Sequence, residues 1–346
     1  MKAFIYGLWM LVGTYTGSGS EGIYVYRFDP VTAKAEYMGM AAVENPSYLT
    51  ASADGETVYA VSENGEGETS WANTFTFDRA TGMLTPVDRE ATSGAAPCNI
   101  TTDGRIVVTA NYGGGDVSVF GVKRGGGLSP LRQTLRLSES AGASHMHCVK
   151  VSPDGRWLFA ADLGSDRLVR WRLRKNGRID AGSLKTFALP VGSGPRHFVF
   201  DGTGRYLYLI NELSGTAIAF RYNRGELEQF QTVQADPSAG RGSADIVLTP
   251  DGRYLYTSHR LKNDGVTKFD VSPADGTLIP AGYLTTGLHP RNLAITPDGR
   301  WLTVAARDSG RVDLFAIDPA TGDLTPVGDP LTLDKPVCVL FIPTLQ

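Results

Sequence analysis

His147, Arg196, Glu212, Arg260 and Arg291 are residue types that can move a proton or grip an anion, and each flanks a copy of one repeated phrase. An imidazole is the side chain best suited to take a proton near neutrality. Guanidinium groups hold carboxylate or phosphate in two-pronged fashion. His145 and His147 are separated by one residue, and on a strand such a pair points to one side, so one reads as a base and the other as its orienting partner. One repeat later Pro195-Arg196-His197 adds a further imidazole, and Glu63 adds a second carboxylate. No Asp, Glu or Cys stands near the histidine pair at metal-ligand spacing, so no metal and no cofactor is expected. The gathered arginines point to a small anionic ligand. Read one at a time, the same residues would serve equally well in ion pairs between repeats.

The elements that must position them repeat through the chain. The phrase SADGETVYAVSE begins at Ser52, SPDGRWLFAADL at Ser152 and TPDGRYLYTSHR at Thr249. Its turn glycines are Gly55, Gly104, Gly155, Gly204, Gly252 and Gly299, giving steps of 49, 51, 49, 48 and 47 residues. A period of that size marks a repeat architecture. Each unit reads as an apolar strand, an Asp-Gly turn, a second strand, a short loop, a third strand and a weaker outer one. Four antiparallel strands in about 50 residues describe a propeller blade. Six turns give six blades, and a seventh is assembled from Pro336–Pro343 and the strands that follow Leu11. The expected fold is therefore all-β: a seven-bladed β-propeller, residues 1–346 as one domain, closed by pairing of its N- and C-terminal strands. Closure also removes sheet edges that invite aggregation.

Counting seven residues back from the one before the turn glycine gives Ser47, His147, Arg196 and Arg291. Counting eight forward from the glycine gives Glu63, Tyr112, Leu163, Glu212, Arg260 and Arg307. The first strand enters, and the second leaves, at the same end of a blade. All of these positions should ring one mouth of the central channel.

Bulk properties set bounds. A net charge of −3 leaves no electrostatic footprint for nucleic acid. The three cysteines, Cys98, Cys148 and Cys338, are too scattered for a disulfide framework or a zinc site, and they fit a reducing, cytoplasmic compartment. The apolar run of residues 1–12 resembles a small signal peptide but lacks a cleavage site and passes straight into strand-like sequence, so it reads as the lead-in to a core strand. It is too short to span a membrane as a helix. A closed propeller has no need of a second copy, so a monomer is expected.

The segments VGTYTG, SHMHCVKVSPDGRWLFAADLGSD, GSGPRHFVFDGTGRYLYLINEL and HPRNLAITPDGRWLTVAA resemble the seven-bladed propeller lactonases. That group contains bacterial 6-phosphogluconolactonases and fungal carboxymuconate cyclases. The resemblance runs from about Leu11 to the end. It implies that His147, Arg196, Glu212 and Arg260 match the family's active-site residues, and that the activity is metal-independent hydrolysis of 6-phosphogluconolactone. In that reading His147 is the base, aided by Glu212 and His145. Arg196 faces the oxyanion, and Arg260, Arg291, His197 and Glu63 contact the substrate. A muconate-type cyclase acting on a dicarboxylate would use the same groups. A non-catalytic propeller that binds a partner protein would instead show an apolar surface patch.

Overall fold

The computed structural model describes residues 7–137 and 144–344. It contains seven antiparallel sheets arranged as blades around a central axis. Blades 1 to 6 begin with the inner strands Leu49–Ala51, Pro97–Thr102, Met146–Val151, Pro195–Phe200, Ser243–Leu248 and Pro290–Ile295. In blade 7 the inner strand is Pro336–Pro343, paired with Leu8–Thr14, then Gly22–Phe28 and Ala35–Ala42. The ring is thus closed by the two ends of the chain, as the repeat count requires. Blade 6 departs from the four-strand pattern. Its outer position is split between Leu324–Pro326 and Leu331–Thr332, both paired with Arg311–Ile317.

Alternation along each strand explains how the blades stick together. Leu8, Met10 and Val12 pack toward blade 6 with Trp301 and Ala305. Trp9 and Leu11 pack toward blade 1 with Val58, Ala60 and Phe77. The strand is buried on both faces, so it reads as a continuous apolar run rather than an alternating one. The part of the apolar run from Leu8 onward is core strand, Leu8–Thr14, and residues 1–6 lie outside the described residues. Seven buried apolar clusters fill the seven interfaces between neighbouring blades.

Arg79 clamps the closing strand by donating to the carbonyls of Pro343 and Asp54 at 2.9 and 2.8 Å. Removing residues 336–346 would expose Leu8–Thr14 as an unpaired edge and open two apolar interfaces. The expected result is loss of a cooperative thermal transition and aggregation, read by circular dichroism and size-exclusion chromatography.

The Asp-Gly turns lie at the opposite end of the blades from the proposed mouth. There Ser152 Oγ and the Arg156 N–H both donate to Asp154 Oδ1, at 2.6 and 3.1 Å. Gly155 takes φ of 66°, a left-handed conformation that favours glycine.

Candidate functional site

Every inner strand except that of blade 1 breaks register near its start. Pro195 pairs with Asn211 and His197 with Ile210, so Arg196 has no partner of its own. The same break leaves out Cys98, His147, Arg291 and Val337, and in blade 5 the slip falls across Ala244 and Asp245. An extra residue of this kind is a β-bulge, which bends the strand and re-aims one side chain. Here the bulge turns that side chain toward the mouth. In four of the six bulged strands proline precedes the position (Pro97, Pro195, Pro290, Pro336), and Pro46 stands likewise before Ser47 in blade 1. Proline has no N–H to offer the ladder and suits a strand's first residue.

The second set also follows from register. The residue after the last pairing of each second strand is Tyr15, Tyr112, Leu163, Glu212, Arg260 or Arg307, and Glu63 holds that place in blade 1. Tyr15 and Cys98 escape sequence counting. Blade 7 has no Asp-Gly turn, and blade 2 is shorter between its bulge and its glycine. The recurrent proline would have found Cys98.

The two sets meet. Arg196, 1% exposed, places Nε 2.7 Å from Glu212 Oε2, and Arg260 places Nη2 3.2 Å from the same oxygen. The Arg196 contact lies off its N–H direction, so it is an ion pair without a hydrogen bond at Nε. Arg196 Nη1 donates to the Ala244 carbonyl. Arg260 Nε donates to the Gly242 carbonyl at 2.9 Å, and Nη1 lies 3.1 Å from His289 Nε2. Burial, and next the charge of Arg196, push the Arg260 guanidinium down to about 9, still a cation at neutral pH. Arg291 Nη2 donates to Glu63 Oε2 at 3.3 Å, and its guanidinium lies 5.3 Å from the Tyr15 ring centre. Burial raises the Tyr15 phenol, Arg291 opposing and Glu63 adding to the rise, so the phenol stays protonated.

His147 is 5% exposed. Burial, then Arg196, His197 and Arg291, hold its imidazole well below its ordinary range. Its Nδ1 is sealed from solvent without a partner. His145 does not share a strand face with it: the strand begins at Met146, and His147 is the bulged residue. The His145 ring stacks on Tyr112 at 4.5 Å, and its Nδ1 lies 2.9 Å from the Tyr112 carbonyl. Tyr112 turns an edge to His147 at 5.7 Å, so it touches both imidazoles. His197 lies beneath the rim, 4% exposed, with Nδ1 2.7 Å from Asp245 Oδ1. The residue after a bulge faces the blade interior, not the mouth. The convergence of His147, Arg196, Glu212, Arg260, Arg291 and Glu63 around one opening is as expected from their spacing.

Among the described residues no three His, Cys, Asp or Glu side chains are gathered as a metal ion requires. The cations gathered at the mouth are guanidinium groups.

Four buried imidazoles, His147, His197, His259 and His289, are held neutral, His197 and His259 at about 4 and His289 at about 3, burial being the first cause in each. The unfolded chain binds protons at these residues below about pH 6.5, whereas the folded chain does so only at lower pH. Their neutral burial is therefore compatible with full stability above pH 6.5, and stability is lost as pH falls through the folded values. The expected melting temperature declines steadily from pH 7 to pH 4, measurable by differential scanning calorimetry.

A family model described as a seven-bladed β-propeller lactonase matches residues 9–341. A 6-phosphogluconolactonase of Bacillus subtilis is 33% identical, covering 96% of this chain and 97% of the relative. A crystal structure from Bacteroides fragilis superposes with a TM-score of 0.94 at 42% identity, covering 99% of each chain. The Pseudomonas aeruginosa periplasmic gluconolactonase PpgL superposes with a TM-score of 0.91 at 33% identity, covering 98% of this chain and all of that one.

Proposed function

Because the chain belongs to the seven-bladed β-propeller lactonases, we propose that it hydrolyses a sugar lactone bearing an anionic group, with 6-phosphogluconolactone the first candidate, without a metal ion. The observation that carries this reading is the ring of guanidinium groups beside a neutral, buried imidazole. A lactone is an activated ester, so water needs only modest help. With Nδ1 sealed, Nε2 is the His147 nitrogen left to face the channel. It takes a proton from water as the water oxygen bonds to the lactone carbonyl carbon. Arg196 stabilises the negative charge that moves onto the carbonyl oxygen. When the ring C–O bond breaks, His147 returns the proton to the departing ring oxygen, and a hydroxy acid results.

Arg291 and Arg260 hold the anionic group. Arg196 Nη2 and Arg291 Nη1 make no hydrogen bond among the described residues, which fits N–H groups kept for an incoming anion. His145 acts through Tyr112. A mouth built by the blades of one closed ring needs no second copy, which fits a monomer. The free thiols of Cys98, Cys148 and Cys338 fit the cytoplasm.

The test is a panel of lactones, phosphorylated and not, assayed in excess chelator at a pH low enough to suppress spontaneous opening. Turnover is expected to survive the chelator. Arg291→Ala and Arg260→Ala should raise KM for the phosphorylated lactone roughly 10- to 100-fold, the worth of a hydrogen bond to a charged group, and leave the uncharged lactone nearly unchanged. Equal loss on both substrates would remove the anion-holding role.

A further inference from the structure

Beneath the mouth, two sealed imidazole nitrogens face a problem that neither solves alone. His147 Nδ1 and His197 Nε2 are both buried and both without a hydrogen-bond partner. The two rings meet edge to face with centres 5.1 Å apart. A direct N–H···N bond of about 2.9 Å between imidazoles gives a centre separation of this order, and a small ring rotation or one trapped water would complete it. Buried polar atoms in folded proteins are almost always paired, with water where protein does not reach.

The proton on His197 is already placed. Asp245 is 3% exposed and locked from several sides. Its Oδ2 accepts from Asn292 Nδ2 at 2.7 Å and from the Leu293 N–H at 2.9 Å, and its Oδ1 accepts from the Ile246 N–H at 2.8 Å. Despite burial, which works the other way, the facing His197 and these donors hold its carboxyl below the ordinary range. An ionised Asp245 Oδ1 only accepts, so His197 carries its hydrogen on Nδ1 and presents Nε2 as a bare lone pair. Tyr48 meets the same ring edge-on at 5.7 Å and limits its rotation.

We propose that Asp245 and His197 are positioning residues that fix the proton pattern of His147: His197 Nε2 accepts the hydrogen on His147 Nδ1, directly or through one water, and this leaves His147 Nε2 as the lone pair facing the channel. The line Asp245–His197–His147 crosses three consecutive blades. It gives His147 a second benefit. Burial beside Arg196 and Arg291 weakens it as a base, and an acceptor behind Nδ1, backed by a carboxylate, offsets that when Nε2 takes a proton. The kinetic part of this inference rests on the lactonase reading; the proton pattern does not.

The chain has only five histidines, at 145, 147, 197, 259 and 289, so nitrogen-15 NMR of the ring nitrogens can resolve them in the intact protein. Wild type is expected to show both His147 and His197 with hydrogen on Nδ1. His197→Phe keeps a ring without the acceptor, and His147 should then lose its single tautomer. His197→Gln restores an acceptor and should restore the pattern in part. In parallel, His197→Phe should lower kcat roughly 10- to 100-fold with KM little changed, Gln recovering part of the loss. His147 carrying its hydrogen on Nε2 in wild type overturns the proposal, whatever substrate the protein acts on. So does an unchanged kcat in a folded His197→Phe protein. Absence of lactone turnover in wild type would count against the lactonase reading alone, and the tautomer measurement would still decide this one.

Discussion

His147→Ala should lower kcat for lactone hydrolysis by about 10²- to 10⁴-fold, the usual worth of a positioned general base, with KM changed little. The imidazole sits on a bulge, outside the pairing of its strand, so its loss removes chemistry without unravelling a ladder. Because the ring is held neutral by burial and by Arg196, it is in its accepting form at every pH from 8 down to about 6.5. Wild-type kcat/KM, corrected for spontaneous opening, should therefore be flat over that window and fall only at lower pH as His147 takes a proton. A His147→Ala enzyme that retains wild-type kcat, or a rate that halves already near pH 7, would remove His147 from the mechanism.

Glu212→Gln should cost both stability and activity. One carboxylate oxygen faces Arg196 and Arg260 at 2.7 and 3.2 Å, and both guanidinium groups are buried. Taking away the negative charge leaves two neighbouring cations uncompensated, and breaking a buried pair in this way costs about 3–5 kcal/mol. The Glu212 side chain keeps 21% of its exposure, which points to the lower end of that range. The expected readout is a clear drop in melting temperature with kcat reduced at least tenfold, since Arg196 would no longer be held against the carbonyl oxygen. Pairing Glu212→Gln with Arg260→Met should recover part of the stability by removing one cation. A Glu212→Gln protein that melts and turns over like wild type would show that the two arginines are held by their carbonyl partners instead.

The ring of blades was legible because its signal is periodic: each turn needs a glycine with positive φ, and six such glycines mark the beat. The mouth was legible because strand direction alone puts Glu212 and Arg260 beside Arg196. What the spacing hid was the bulge. Counting along a regular strand puts His145 and His147 on one face, whereas the bulge at His147 and the late start of the strand part them. The same one-residue flip sends His197 inward to Asp245, although Pro195-Arg196-His197 reads as a single functional phrase. Asp245 gives no local cue, because its partners His197 and Asn292 are each 47 or 48 residues away. Tyr15 was hidden because the seventh blade lacks the turn that serves as the ruler.

The bulges separate two tasks that most folds leave tangled. Side chains that carry the scaffold alternate toward neighbouring blades, while in six of the seven inner strands a supernumerary residue is free of that duty. Six such slots, with the seven that follow the second strands, make a panel whose occupants outside the Arg196–Glu212–Arg260 ion pairs can be exchanged with little penalty to the frame. Among the bulge slots Ala244 and Val337 now hold aliphatic groups, and Leu163 does so in the second set. A lineage, or an engineer, that filled them with acids, bases or cations could redirect this propeller to a different ester while every blade stayed as it is.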